Sequence, residues 1–273
     1  MALGPRGWRT VRVAGHLGEF LQGRVGGEVV LITLPAPILA VTARWRAGPE
    51  ALRVTGGVLT RPALRALFSA AGRPLRGELC LSADMPPGGG AGVSTAALLA
   101  VAGAVGLPLD ERLAPLCLGL EGATDPLMLP APGQVLWASR RAEVRARLDP
   151  VPSFDVVGGF HGAPRQTRAG DERFADITDL VADWLRAGPD RARLAELATE
   201  SACRNHELRG GEELAPLMDM ARDCGALGLA AAHTGSARGL LFEPGQGDRT
   251  RAARMLAEAG VRGIVTFRTP GPL

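Results

Sequence analysis

The sequence predicts an α+β protein of two domains. A mixed β/α domain with a glycine-rich phosphate loop is expected over residues 1–149, and a two-layer α/β domain of ferredoxin-like type over residues 150–273. Three observations support this. In the first half, short alternating strands flank a glycine-rich turn that opens onto a long uncharged stretch. Asp149-Pro150-Val151-Pro152 then makes a stiff boundary. Beyond it, strand and helix patterns alternate. A chain of 273 residues has enough core for one large or two small domains.

Residues 9–14 alternate polar and apolar side chains, the pattern of a half-buried strand. They lead into Gly15-His16-Leu17-Gly18-Glu19-Phe20-Leu21-Gln22-Gly23, which reads as a loop between strands. Residues 28–34 are a β-branched run stopped at Pro35, and 38–45 form the next strand. A short helix over 64–71 and a strand over 78–83 follow. Residues 110–122 place Leu113, Leu116, Cys117 and Leu120 at helical spacing, with Asp110 as N-cap. Residues 134–138 and the basic stretch of Arg140, Arg141, Arg145 and Arg147 close the first half; a solvated face is expected of these arginines. In the second half, strands are expected over 154–158, 227–232, 238–242 and 263–267, and helices over 177–187, 191–208, 213–225 and 250–259. Two of those strands flank the turn His233-Thr234-Gly235-Ser236.

Apolar residues make up 46% and charged residues 22%, the proportions of a soluble globular protein. The net charge is +3, yet the chain has no lysine. Arginine in its place, with abundant Ala, Gly and Pro, marks a high-GC coding sequence rather than a polyanion partner. Aromatics are 4% and tyrosine is absent, which argues against a base-stacking surface and a nucleic-acid partner. Cys80, Cys117, Cys203 and Cys224 are scattered without metal-ligand spacing and read as reduced thiols. Residues 1–10 lack the apolar core of a signal peptide. The uncharged run 85–109 loses its first third to Pro and Gly, leaving too little to span a membrane. The expectation is a cytoplasmic protein with no membrane partner.

The most informative segment is Pro86-Pro87-Gly88-Gly89-Gly90-Ala91-Gly92-Val93-Ser94-Thr95-Ala96. Glycines strip Cβ atoms from a turn so that backbone N–H groups can converge on an anion. Ser94 and Thr95 then open a helix whose N-terminus favours phosphate. A P-loop is excluded because it needs lysine, and a dinucleotide fingerprint because its glycine spacing is absent. A glycine turn without a ligand is the alternative.

Three glycine-bearing segments, 15–23, 86–96 and 231–242, in this order, resemble the three signature motifs of the GHMP kinase superfamily. That superfamily includes galactokinases and homoserine, mevalonate and phosphomevalonate kinases. Its middle motif runs Pro-x-x-x-Gly-Leu-Gly-Ser-Ser-Ala-Ala; Pro86, Gly90, Gly92, Ser94 and Ala96 match, and Ala91, Val93 and Thr95 depart. Within it, Gly18-Glu19-Phe20-Leu21-Gln22-Gly23, Ser94-Thr95-Ala96 and Ala232-His233-Thr234-Gly235-Ser236 are most similar to the L-threonine kinases of cobalamin biosynthesis. Leu120-Glu121-Gly122-Ala123-Thr124-Asp125 and Ser201-Ala202-Cys203-Arg204-Asn205 also resemble segments of that branch. That branch carries a lysine in the loop and an acid after Ser-Thr-Ala, where this chain has Gly89 and Ala97, and its Glu-to-Asp spacing is one residue shorter.

The resemblance spans most of the chain and implies a two-domain GHMP kinase fold and an ATP- and Mg²⁺-dependent kinase acting on the hydroxyl of L-threonine or a similar amino acid. It implies ATP phosphates on Pro87, Gly88, Gly89, Gly90, Ala91, Gly92, Val93, Ser94 and Thr95. Ser94 and Glu121 are implied as the metal pair, and Asp125, with Ser94, as the catalytic residue at the acceptor hydroxyl. His16, Glu19, Thr234, Gly235 and Ser236 are implied at the substrate, with the Gly235-Ser236 turn positioning substrate or supporting the glycine loop. The expected partners are ATP and a small hydroxy amino acid, with a homodimer as one arrangement. Another GHMP substrate such as homoserine, or a non-catalytic nucleotide- or metabolite-binding relative, are the alternatives.

Overall fold

The computed structural model describes residues 7–57, 59–164 and 170–271. The first six residues of the segment read for a signal peptide therefore lie outside the described residues. The chain order is β1 (Arg9–Val25), β2 (Glu28–Ala51), β3 (Arg53–Thr55), α1 (Arg61–Ala70), β4 (Arg76–Ala83), α2 (Val93–Val105), α3 (Ala114–Glu121), β5 (Val135–Ala138), β6 (Glu143–Arg147), β7 (Asp155–Phe160), α4 (Thr178–Ala187), α5 (Arg191–Arg209), α6 (Ala215–Cys224), β8 (Gly228–Ala231), β9 (Ala237–Phe242), α7 (Arg249–Glu258) and β10 (Arg262–Arg268). One sheet runs β10-β7-β9-β8-β1-β2-β4-β3, and β5 joins it through β2 and carries β6. This mixture of strands and helices is the α+β class expected.

Two early expectations change. The string Gly15 to Gly23 is part of β1, not a loop. Its residues are buried and paired with β2, and the register slips between Ala14 and Gly15, His16 and Glu19, and Glu19 and Leu21. Such bulges re-aim side chains while the ladder continues, so polar residues of loop-like composition sit within a strand. Pro35 does not end its strand either: β2 continues through it, with Pro35 opposite His16 beside a register shift, where a missing N–H is tolerated.

Helix α2 packs on β1 and β2 and against α1 and α3. Every residue of it except Ser94 is buried, which explains why its sequence is apolar on all sides. No helix among the described residues is long and apolar enough to cross a membrane. Asp110 acts as the expected cap, its carboxylate accepting from Arg112 N–H at 3.0 Å, although it caps a 3₁₀ turn that leads into α3. All four cysteines are free, and burial pushes the Cys117 thiol up to about 12, with the Glu121 charge adding to it.

The Asp149–Pro152 segment lies in the connection between β6 and β7. The main core nonetheless runs through both halves of the chain, from Leu17 and Leu99 to Phe154, Trp184 and Leu197. A second cluster packs α6 and α7 onto β7, β8 and β9 through Leu217, Phe242 and Leu256. The two halves of the sheet meet between β1 and β8, where Glu19 pairs with Ala231. That seam positions the site.

Candidate active site

The glycine loop before α2 is held by the two other glycine-bearing segments. Ala237 N–H donates to Gly89 O at 2.8 Å, Gly18 N–H to Gly90 O at 3.0 Å, and His16 N–H to Ala91 O at 3.2 Å. Three successive carbonyls are thus tied down, two by β1 and one by the start of β9. Gly88, Gly90 and Gly92 have φ of 76°, 73° and 71°, alternating with ordinary residues, a succession that gathers N–H groups on one side. The glycines also permit the interlock itself. A Cβ on Gly90 would lie 2.3 Å from Ala232 Cβ, one on Gly92 2.7 Å from the His16 ring, and one on Gly235 2.2 Å from Gly90 N.

Helix α2 begins at Val93, one residue before the expected serine start, with Gly92 as a cap that offers no side-chain bond. Ala96 N–H reaches Gly92 O at 2.9 Å; the N–H groups of the turn before it have no partner within the helix. A helix end without a side-chain cap leaves N–H groups that favour an anion.

These groups open on a cleft of about 370 Å³. Pro87, Gly88 and the residues from Gly90 to Thr95 line one side of it, and Glu121, Thr124 and Asp125 another. His16, Glu19 and Gln22 come from β1, and Thr234 from the turn before β9. Gly89 faces away, toward the Phe160 ring. Gly235 presses on the glycine loop, and Ser236 lines a larger cavity of about 590 Å³ behind it. Ser236 gives its carbonyl to His161 N–H at 2.7 Å, and of the three residues Thr234 lines the cleft.

Thr95 is the hub of the acidic wall. Its hydroxyl donates to Glu121 Oε1 at 2.6 Å, lies 3.3 Å from Thr124 Oγ1, and accepts from Asp125 N–H at 3.3 Å. Burial pushes the Glu121 carboxyl up to about 7 and the Asp125 charge adds to this, against the hydroxyls of Ser94, Thr95 and Thr124. The Ser94 hydroxyl and Glu121 carboxylate are therefore adjacent hard oxygen donors, and the cost of keeping Glu121 charged is one a cation would relieve. No group of three or more His, Cys, Asp or Glu among the described residues could hold a metal. The pair fits Mg²⁺, which takes one or two protein oxygens, keeps waters and shares phosphate oxygens.

His16 lies between two acids, with Nε2 at 3.3 Å from Asp125 Oδ2 and Nδ1 at 3.8 Å from Glu19 Oε1. Burial lowers its pKa, but Asp125, Glu19 and the Gly18 carbonyl together outweigh burial and raise it to about 8. Glu19 is 6% exposed, and its Oε2 makes no hydrogen bond among the described residues, with His233 Nδ1 at 3.8 Å. His233 is set in turn by the α5 segment: its Nε2 is 3.4 Å from Ser201 Oγ, and its carbonyl accepts from Asn205 Nδ2 at 3.4 Å. Sequence reasoning did not find Gln22, Ser139, Arg140 or Phe174, which also line the cleft. Arg140 was read with the solvated arginines, a view that holds for Arg141 and Arg145, paired with Glu28.

No family model matches the chain. An L-threonine kinase from Salmonella typhimurium is 26% identical over 267 residues, covering 88% of this chain and 85% of that one. Among solved structures, a mevalonate kinase from L. major superposes with a TM-score of 0.67 at 14% identity, covering 99% of each chain. A homoserine kinase from Cytophaga hutchinsonii gives 0.61 at 15% identity over 100% of this chain and 97% of that one. A Streptococcus pneumoniae phosphomevalonate kinase gives 0.63 at 13% identity over 96% and 98%. By fold this chain is of the GHMP kinase type, and its sequence is similar to that of an L-threonine kinase.

Proposed function

We propose that this chain, a phosphotransferase of GHMP type acting on a hydroxyl, transfers the γ-phosphoryl group of ATP to the side-chain hydroxyl of L-threonine or a close hydroxy amino acid. The step would serve cobalamin assembly in the cytoplasm. One observation carries the reading: the anion-binding helix end and the Glu19–His16–Asp125 row line the same cleft. The N–H groups of Gly88 and of Gly90 to Thr95 bind the phosphates. Ser94 and Glu121 hold Mg²⁺, which supplies charge neutralisation at the phosphates when bound. Thr95 fixes Glu121 through its hydroxyl and Asp125 through its backbone. Asp125 orients the acceptor hydroxyl and takes its proton, while the His16 imidazolium keeps the carboxylate in place. Glu19 receives the α-ammonium group, whose charge its unpartnered oxygen lacks. Positioning and electrostatics account for most of such catalysis.

ATP consumption by the purified protein, measured against L-threonine, L-serine and L-homoserine, tests this. Turnover is expected to be highest with L-threonine, and Ser94→Ala and Asp125→Ala are expected to lose about a hundredfold or more. Turnover highest with homoserine would move the acceptor, and an Asp125→Ala protein as active as wild type would remove that residue from the reaction.

A further inference from the structure

Arg140 is a cation in the cleft that the phosphate and proton chemistry leaves unused. It follows Ser139, the residue after β5, whose N–H donates to Val29 O at 3.3 Å and whose carbonyl accepts from Thr124 N–H at 2.9 Å. The backbone before Arg140 is thereby pinned to the Thr124–Asp125 segment, at the acceptor side of the cleft. Its neighbours Arg141 and Arg145 are tied to Glu28 and Glu143 outside. Arg140 has no carboxylate within ion-pair distance among the described residues. It is nevertheless fixed: its Nη2 donates to the Asp171 carbonyl, and its guanidinium lies 5.6 Å from the centroid of the Phe174 ring. Asp171 and Phe174 are anchored in turn by Arg209, which is 2.7 Å from the Asp171 carboxylate and 4.7 Å from the same ring centroid.

Among the described residues the cleft therefore holds a buried carboxylate oxygen with no hydrogen-bond partner, on Glu19, and a guanidinium that makes no direct ion pair, on Arg140, with the Asp171 carboxylate, already paired with Arg209, acting on it only through space. A zwitterion satisfies both. Resting on the kinase reading above, we infer that Arg140, positioned by Asp171 and Phe174, determines specificity by receiving the acceptor's carboxylate. The acceptor is then a hydroxy amino acid rather than an amino alcohol. A planar fork of donors suits a carboxylate, and a charge-assisted pair of this kind discriminates by about ten- to a hundredfold.

The test compares kcat/KM for L-threonine with that for 1-amino-2-propanol, which keeps the hydroxyl and ammonium but lacks the carboxylate. A ratio is independent of how much enzyme is folded. Wild type is expected to favour L-threonine, Arg140→Gln to lower the ratio at least tenfold chiefly through KM for L-threonine, and Arg140→Lys to restore part of it. A wild-type enzyme that phosphorylates L-threonine while Arg140→Gln keeps the full ratio overturns the role of Arg140 and leaves the kinase reading standing. Preference for the amino alcohol by wild type overturns a carboxylate-bearing acceptor. No ATP turnover with either compound overturns the kinase reading and this inference together.

Discussion

Two buried carboxylates of this chain are treated in opposite ways. Asp155, at the start of β7, accepts from Gly245 N–H at 2.8 Å, from Arg268 Nε at 2.7 Å and Nη2 at 3.1 Å, and from Arg249. These contacts, the Arg268 hydrogen bond foremost, hold its carboxyl below the usual range. Glu19 is about as buried, yet among the described residues one of its oxygens has no hydrogen bond, and ring nitrogens of His16 and His233 approach it only to 3.8 Å. Desolvating a carboxylate costs several kcal/mol unless partners offset it. At Asp155 they do, far from the cleft, and the result is a clamp joining β7, β10 and the segment before α7. At Glu19 they do not, at the seam of the sheet and facing a cleft. The difference separates a charge that serves the fold from one that waits for a ligand.

The largest effect that sharpens this contrast is expected from Glu19→Gln. The amide keeps the shape and removes the charge, so kcat/KM for L-threonine should fall by roughly a hundredfold. The urea midpoint should stay or rise, because an incompletely paired buried charge is lost. A marked loss of stability with full activity would break the comparison by making Glu19 a second clamp.

Asp155→Asn should behave in the reverse sense, with smaller reach. Arg249 and Arg268 reach solvent, so water takes over part of their solvation, and the loss should be about 2–3 kcal/mol of stability. The kinetic constants of the folded protein should not change. The sign of its pH dependence is also fixed. A carboxyl depressed in the folded state contributes stability that is present above the ordinary carboxylate range and is lost as pH falls through it. Urea melts between pH 3 and pH 7 should show a shallower acid limb in the variant; an identical limb would remove Asp155 as a contributor.

The same contrast explains what was legible in the sequence. The glycine loop was legible from its own composition, and Glu121 and Asp125 came from the resemblance of a local string; all three line the cleft. The structure adds that the glycines serve the interlock as much as the anion: Gly92 makes room for the His16 ring and Gly235 for the loop backbone. Thr95, a departure from the family motif expected at the phosphates, lines the cleft and through its hydroxyl also braces Glu121 and Asp125. The β1 string read as a loop because bulges place Gly, His, Glu and Gln inside a strand, where alternation fails. Arg140 was hidden in a run of arginines of which Arg141 and Arg145 are surface partners of Glu28. Nothing local marks the one whose contacts, Asp171 and Phe174, lie more than thirty residues on.

The smallest effect probes the row that joins the two acids of the cleft. His16 is 2% exposed and has a folded pKa of about 8, against 6.5 for a free imidazole. A histidine raised in this way binds its proton more tightly folded than unfolded. Its contribution to stability is therefore complete below about pH 6.5 and is lost as pH rises through about 8, amounting to at most about 2 kcal/mol. Urea midpoints measured from pH 6 to pH 9 should fall across that window in wild type and less in His16→Gln, the difference cancelling the other histidines. Turnover should fall over the same window. Once His16 is neutral, Asp125 loses the cation that positions it. Equal slopes in the two proteins would show that the imidazolium does not hold the row together, and Asp125 would then have to be oriented by the Thr95 hydroxyl at its backbone N–H alone.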